Sequence, residues 1–202
     1  MTLSANPSDR ALARRQQVLD AAAEAFRRRG FHAASMAEIA KTAGMSPGHI
    51  YNLFENKDDI IAAIVERDCV DLLGRIAELQ QEDDVLNKML GETERAIDES
   101  AQVADAALEL EVLAEASRNP RLAAVVHQAE ALVNQKAQDL VRQSLGAAAD
   151  ALPAGEIQGR ALLLAALFNG LTALSVRQPA LSQQVPAMAP VMRRMLRVLL
   201  AP

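Results

Sequence analysis

Cysteine is almost missing from this chain of 202 residues. Cys69 stands alone, which excludes an internal disulfide framework and a cysteine-only zinc site. His32, His49 and His127 are scattered, so a histidine-based metal site is not expected either. There is no tryptophan, one tyrosine and four phenylalanines, beside nine glycines and eight prolines. That leaves few of the aromatic and β-branched runs a sheet needs. No run of 18 apolar residues occurs. The longest charge-free helical stretch, 161–176, is interrupted by Asn169, Gly170, Thr172 and Ser175, so no membrane span is expected. The first twenty residues hold Arg10, Arg14 and Arg15 without an apolar centre and do not read as a secretory signal. The expected setting is soluble, reducing and cytoplasmic, without a membrane partner.

What is abundant is alanine (40) and leucine (27), within a chain that is 50% hydrophobic. These residues favour helix, and they supply enough apolar material for a sizeable core. The expected fold class is all-α. Net charge is −5 but unevenly spread. Through residue 57, eight Lys/Arg face five Asp/Glu, giving +3; the remainder holds thirteen against twenty-one, giving −8. Such asymmetry is either ordinary scatter or a sign of separate tasks for the two segments.

Met1–Ser8 reads as an unfolded tail. From Asp9 to Arg29 the pattern is helical, with Leu12, Leu19, Ala22, Ala23 and Phe26 on one face and Gln17 on the other. Gly30 supplies a left-handed stop. Ser35 and Glu38 then form a capping box before a short helix, Met36–Ala43, which Gly44 ends. Ser46 caps a second short helix, about Pro47–Leu53, with proline at its first position. Asn56 and Asp59 open a long helix to about Gln81.

Two short helices joined by a glycine-containing turn make a helix-turn-helix. Counting from Met36, the fifth residue is Ala40, small where the helices approach; the ninth is Gly44, where φ must be positive. The fourth and fifteenth, Ile39 and Ile50, plug the angle between the helices. The same spacing also fits two capped helices in an unremarked all-α core. His49 and Asn52 point away from the face that holds Ile50 and Leu53, and an asparagine can pair with adenine in a major groove.

The run Gly30-Phe-His-Ala-Ala-Ser-Met-Ala-Glu-Ile-Ala-Lys-Thr-Ala-Gly-Met-Ser-Pro-Gly-His-Ile-Tyr-Asn-Leu-Phe-Glu-Asn-Lys-Asp-Asp-Ile-Ile61, with its Tyr51-x-x-Phe54-x-x-Lys57 ending, resembles the DNA-binding signature of TetR family transcriptional regulators. The resemblance covers roughly residues 12–65; Glu115-Ala-Ser-Arg-Asn-Pro-Arg121 resembles a weaker motif of some members' regulatory domains. The resemblance implies a helix-turn-helix domain over 9–57 and a helical effector-binding and dimerisation domain over 58–202. It implies that Pro47–Leu53 enters the major groove. Ser46, Pro47 and Gly48 would stand at a phosphate, His49 and Asn52 at base edges, Tyr51 at a phosphate or thymine and Lys57 at a phosphate. Ser35 and Met36 would meet the backbone at the preceding helix. Ala37 and Pro47 depart from members with basic residues there, and Arg10, Arg14 and Arg15 are weaker candidates for backbone contact.

Beyond residue 81, helices are expected at about Val85–Ser100, Val103–Arg118, Pro120–Gly146, Gly155–Gln178 and Pro186–Leu200. The last two are rich in apolar residues. Leu164, Phe168, Leu171, Met188, Met192, Met195 and Leu199 would either form a four-helix interface with a twofold mate, as the resemblance implies, or be buried within one subunit. The helices between 60 and 178 would enclose an effector pocket. Phe168 is the single aromatic beyond Phe54, so a small aliphatic or otherwise hydrophobic effector suits such a pocket better than a planar cation. Glu111 and Glu115, one turn apart, would face that pocket or solvent. Glu-x-x-His pairs, phosphate loops, Gly-x-Ser-x-Gly and His-Glu-x-x-His are all missing, so neither an enzyme nor a cofactor is expected. The reading is a dimeric repressor released from a palindromic double-stranded operator by a small hydrophobic effector. The alternatives are a helical interaction protein or an enzyme without DNA binding.

Overall fold

Glycine and serine punctuation sets the order of the first helices. In the computed structural model, which describes residues 7–201, α1 spans Pro7–Arg29 and ends at Gly30 (φ +77°). Helix α2 spans Met36–Thr42, and Gly44 (φ +64°) turns the chain into α3, Pro47–Tyr51. Helix α4 follows at Lys57–Gln80. Residues 1–6 of the expected tail lie outside the described residues, whereas Pro7 already opens α1.

The remaining elements are α5 (Val85–Gly91), α6 (Thr93–Ser100), α7 (Val103–Ala116), α8 (Pro120–Leu145), α9 (Glu156–Arg177) and α10 (Val185–Leu200). Short 3₁₀ turns cover Gly146–Ala151 and Leu181–Gln184. Among the described residues there is no strand, as the composition predicts. The expected helix at 85–100 is two helices. Gly91 is a poor helix former, and Glu92 leaves the helical region at φ −92°, ψ 2°.

The chain forms two compact units. The first holds residues up to Arg67 together with Leu108–Val126, the second Asp68–Ala107 and the chain from His127 onward. The division expected at 57/58 thus falls inside the first unit, which also takes in the end of α7 and the start of α8. Its core joins Val18, Leu19, Ala22 and Phe26 of α1 to Ile39 and Ala40 of α2, Ile50 of α3 and Ile60, Ile61 and Ile64 of α4. Leu108, Val112 and Leu122 complete it. Each fully buried Leu or Ile contributes roughly 1.5–3 kcal/mol of transfer free energy. Leu12, expected on the apolar face of α1, is instead 66% exposed, because the buried core begins six residues further along, at Val18. Gln17, assigned to the outer face, donates to the Ala43 carbonyl at 2.7 Å and so satisfies the end of α2.

The second unit is built on Leu90 and Ile97, Val141 and Leu145, Ala161, Leu164 and Leu171, and Ala189, Met192, Leu196 and Leu200. Arg160, near the start of α9, donates to the Leu199 and Ala201 carbonyls at 3.1 Å each and closes the end of α10. Helix α9 is long and apolar enough, by length and composition, to cross a membrane, with a mean hydropathy of 1.5 over 18 residues. The strict apolar run is still broken at Asn169, Gly170, Thr172 and Ser175; an 18-residue window averages over those interruptions. One side of α9 is committed to the unit's core through Ala161, Leu164, Leu171 and Ser175.

Candidate nucleic-acid interface

Two caps build the helix-turn-helix. Ser35 Oγ accepts the Glu38 N–H at 3.2 Å, and Ser46 Oγ accepts the His49 N–H at 3.3 Å. The expected capping box is half formed, since the Glu38 carboxylate pairs with Arg29 at 2.9 Å instead of returning to Ser35. Asn56 Oδ1 accepts the Asp59 N–H at 3.0 Å and caps α4. Ile39 and Ile50 are fully buried and Ala40 nearly so, as the spacing requires.

With Ile50 turned inward, the rest of α3 faces out. Ser46, Pro47, Gly48, His49 and Asn52 are exposed, and Tyr51 is 55% exposed. Asn52 forms the C-cap, so the helix is shorter than the Pro47–Leu53 expected. Ser35 is exposed and Met36 half-buried against the core. The Arg14 guanidinium lies 3.4 Å from His49 Nε2, placing a cation beside α3. Arg15 lies over the Phe54 ring, 5.1 Å from its centroid.

Lys57 does not stand free for a phosphate. Its Nζ donates to the carbonyls of Phe31 (2.6 Å), His32 (3.0 Å) and Ala34 (2.7 Å), and it sits 4.9 Å from the Phe31 ring centroid. An ammonium has three donors, and all three are engaged in the α1–α2 turn.

Glu111 and Glu115 reach the same turn and not an effector pocket. Glu111 Oε2 accepts the Phe31 N–H at 3.0 Å. Glu115, 8% exposed, lies 3.1 Å from His32 Nε2 and 3.4 Å from Arg118. Close by, Asn119 donates to Asp58 at 3.0 Å, and Arg121 pairs with Asp59 at 2.8 Å as an ion pair without hydrogen-bond geometry. Among the described residues, one open surface groove runs along α1 and the end of α2 and another along Arg15, Phe54 and α4; Glu111, Glu115 and Phe168 line neither. Sequence reasoning missed the clustering because nothing local in a helix reports a partner 80 residues away.

The seven side chains assigned to dimerisation divide. Leu164, Leu171 and Met192 are buried inside the subunit, while Phe168, Met188 and Leu199 pack partly against that core. Met195 alone of the seven is exposed. The outward apolar side chains are Leu162, Leu163 and Val176 on α9 and Val191, Met195 and Val198 on α10. A helix apolar around most of its circumference has no clear phase, so its periodicity could not choose the inner side. Cys69 is half-buried, 3.7 Å from the Ala129 carbonyl; burial, then Glu130, pushes its thiol above the ordinary range.

Comparison with known proteins bears on this geometry. Residues 18–64 match the model for bacterial regulatory proteins of the tetR family. The HTH-type transcriptional regulator UidR of Escherichia coli K12 is 34% identical over 116 residues, 55% of this chain and 56% of that protein. The chain therefore aligns with only about half the length of that curated relative. Salmonella enterica GusR shares the fold with a TM-score of 0.76 and 26% identity, over 94% of this chain and 96% of that one. FadR from Bacillus subtilis, solved with stearoyl-CoA, shares the fold at a TM-score of 0.70 and 18% identity, over 88% and 96%. With a capped helix-turn-helix inside the matched segment, residues 18–64 are similar to bacterial regulatory proteins of the tetR family, and the described chain shares the fold of GusR nearly end to end.

Proposed function

We propose that this protein regulates transcription by binding double-stranded DNA as a homodimer, and that it is a repressor released by a small hydrophobic effector. The observation that carries the reading is the outward set on α3. Ser46, Pro47, Gly48, His49, Tyr51 and Asn52 all face solvent on a helix whose single buried residue, Ile50, locks it to the core. His49 and Asn52 read base edges, where one good contact discriminates by about 1–3 kcal/mol. Ser35, Met36, Ser46, Gly48 and Tyr51 set the register on the backbone. The neighbouring Arg14 adds charge that a polyanion favours.

Dimerisation uses the outward stripes of α9 and α10. Leu162, Leu163, Val191, Met195 and Val198 leave a large apolar area uncovered on two helices that share a core. A twofold pair presents two copies of α3 and reads a palindrome. The effector binds among the leucines, valines and methionines of the second unit and favours a state whose two α3 helices no longer match the half-site spacing. The protein acts in the cytoplasm, on chromosomal DNA.

The test is selection from a random duplex pool, followed by titration of the enriched duplex at several salt concentrations. A palindromic sequence is expected, with log K falling linearly in log salt. No enrichment over mixed-sequence duplex overturns the reading.

A further inference from the structure

The α1–α2 turn is held from two sides, by a side chain of α4 and a side chain of α7. The peptide units flanking Phe31 are gripped at both polar ends: Glu111 Oε2 accepts the Phe31 N–H, and Lys57 Nζ donates to the Phe31 carbonyl. Lys57 also gathers the His32 and Ala34 carbonyls, and the Phe31 ring is buried beneath it. At Gly30 the backbone takes φ +77°, and the Glu111 carboxylate packs so close that a Cβ would stand 3.1 Å from its Oε1. The turn leads directly into Ser35, the cap of α2, and α2 carries the turn to α3.

We propose that Lys57 is a positioning residue for DNA binding and not a phosphate contact: with Glu111 it clasps the Gly30–Ala34 turn and so fixes α1 against the helix-turn-helix. The inference rests on the DNA-binding reading above and deepens it. Loosening the clasp lowers the fraction of molecules in the binding-competent arrangement, and apparent affinity falls by that fraction. The competent molecules still touch the same phosphates, so the salt dependence is unchanged. Loss of a phosphate contact would instead reduce the slope of log K against log salt by about one.

Arginine separates the two roles. A guanidinium neutralises a phosphate as well as an ammonium does, but its planar fork cannot serve three carbonyls converging on one point. The experiment measures binding of the full chain to the pool-selected duplex at several salt concentrations, well below the melting transition, for K57R, K57M, E111A and the K57M/E111A pair. Circular dichroism checks that each is folded. K57R, K57M and E111A are each expected to weaken binding about tenfold with the wild-type salt slope. The double variant is expected to lose much less than the product of the two single losses, because both act through one turn. Wild-type affinity in K57R, or a slope lower by about one in K57M, overturns the inference. So does unchanged affinity in E111A, which carries it even if K57M does not fold. A wild-type protein that binds no duplex overturns the regulator reading, and this inference falls with it.

Discussion

Replacing Gly30 by alanine tests the turn from inside. At φ +77° the residue lies in the left-handed region, where a side chain costs about 1–2 kcal/mol. The new Cβ would stand 3.1 Å from Glu111 Oε1 and 3.5 Å from its Cδ, so the carboxylate must move a few tenths of an ångström. It is not free to do so without stretching its 3.0 Å bond from the Phe31 N–H. A hydrogen bond to a charged group contributes about 1.5–3 kcal/mol, and losing a third of that adds roughly 0.5–1. The total is about 2 kcal/mol, or roughly 4–8 °C in melting temperature for a chain of this size. The assay is thermal unfolding of G30A, E111A and the double variant. Without the carboxylate, only the backbone share should remain, so G30A should cost about 0.5–1 kcal/mol less in the E111A background. A G30A protein within about 0.5 kcal/mol of wild type refutes the backbone argument. An equal cost in both backgrounds refutes the contact.

Neighbouring residues on α3 should give opposite readouts. H49A and N52A should change base preference by about 1–3 kcal/mol at single positions of the selected duplex with little effect on melting, whereas I50A should destabilise by about 2–5 kcal/mol. On α10, V198E should convert dimer to monomer in analytical ultracentrifugation, since Val198 is 75% exposed; M192A should lower stability instead, because Met192 is buried within the subunit. For Cys69, a pKa raised by burial and by Glu130 means less thiolate at any pH below it. Its reaction with Ellman's reagent at pH 8 should therefore be slower than that of a free thiol, and E130Q should speed it; a reaction as fast as glutathione's would contradict the environment described.

The helix-turn-helix was legible because its signals are local. A serine cap speaks for the N–H three residues on, a small residue for a close approach, and Gly44 for its own φ. The outward direction of His49 followed from the inward direction of Ile50. The three carbonyls that Lys57 meets were not legible, because the spacing Tyr51-x-x-Phe54-x-x-Lys57 fixes where the stem begins and not which oxygens the ammonium meets. Glu111 and Glu115 were misread because their partners, Phe31 and His32, are some 80 positions away. In α9 leucine occurs on nearly every side, so composition announced an apolar helix while withholding which side the subunit keeps for itself; in α10 leucine and methionine share one stripe, and Met195 at its edge is exposed while Met192 is buried. The break at Glu92 was available in principle, since Gly91 precedes it, but a run of good helix formers on both sides concealed it.

The shortage of large rings makes the chain its own reporter. Tyrosine emission normally drains into tryptophan, and here there is none to receive it. Tyr51 is the single tyrosine, and more than half of it lies open on the outward side of α3. The protein's ultraviolet fluorescence therefore comes from one phenol, seated where a duplex would arrive, and its quenching can follow docking without a dye, a tag or a substitution.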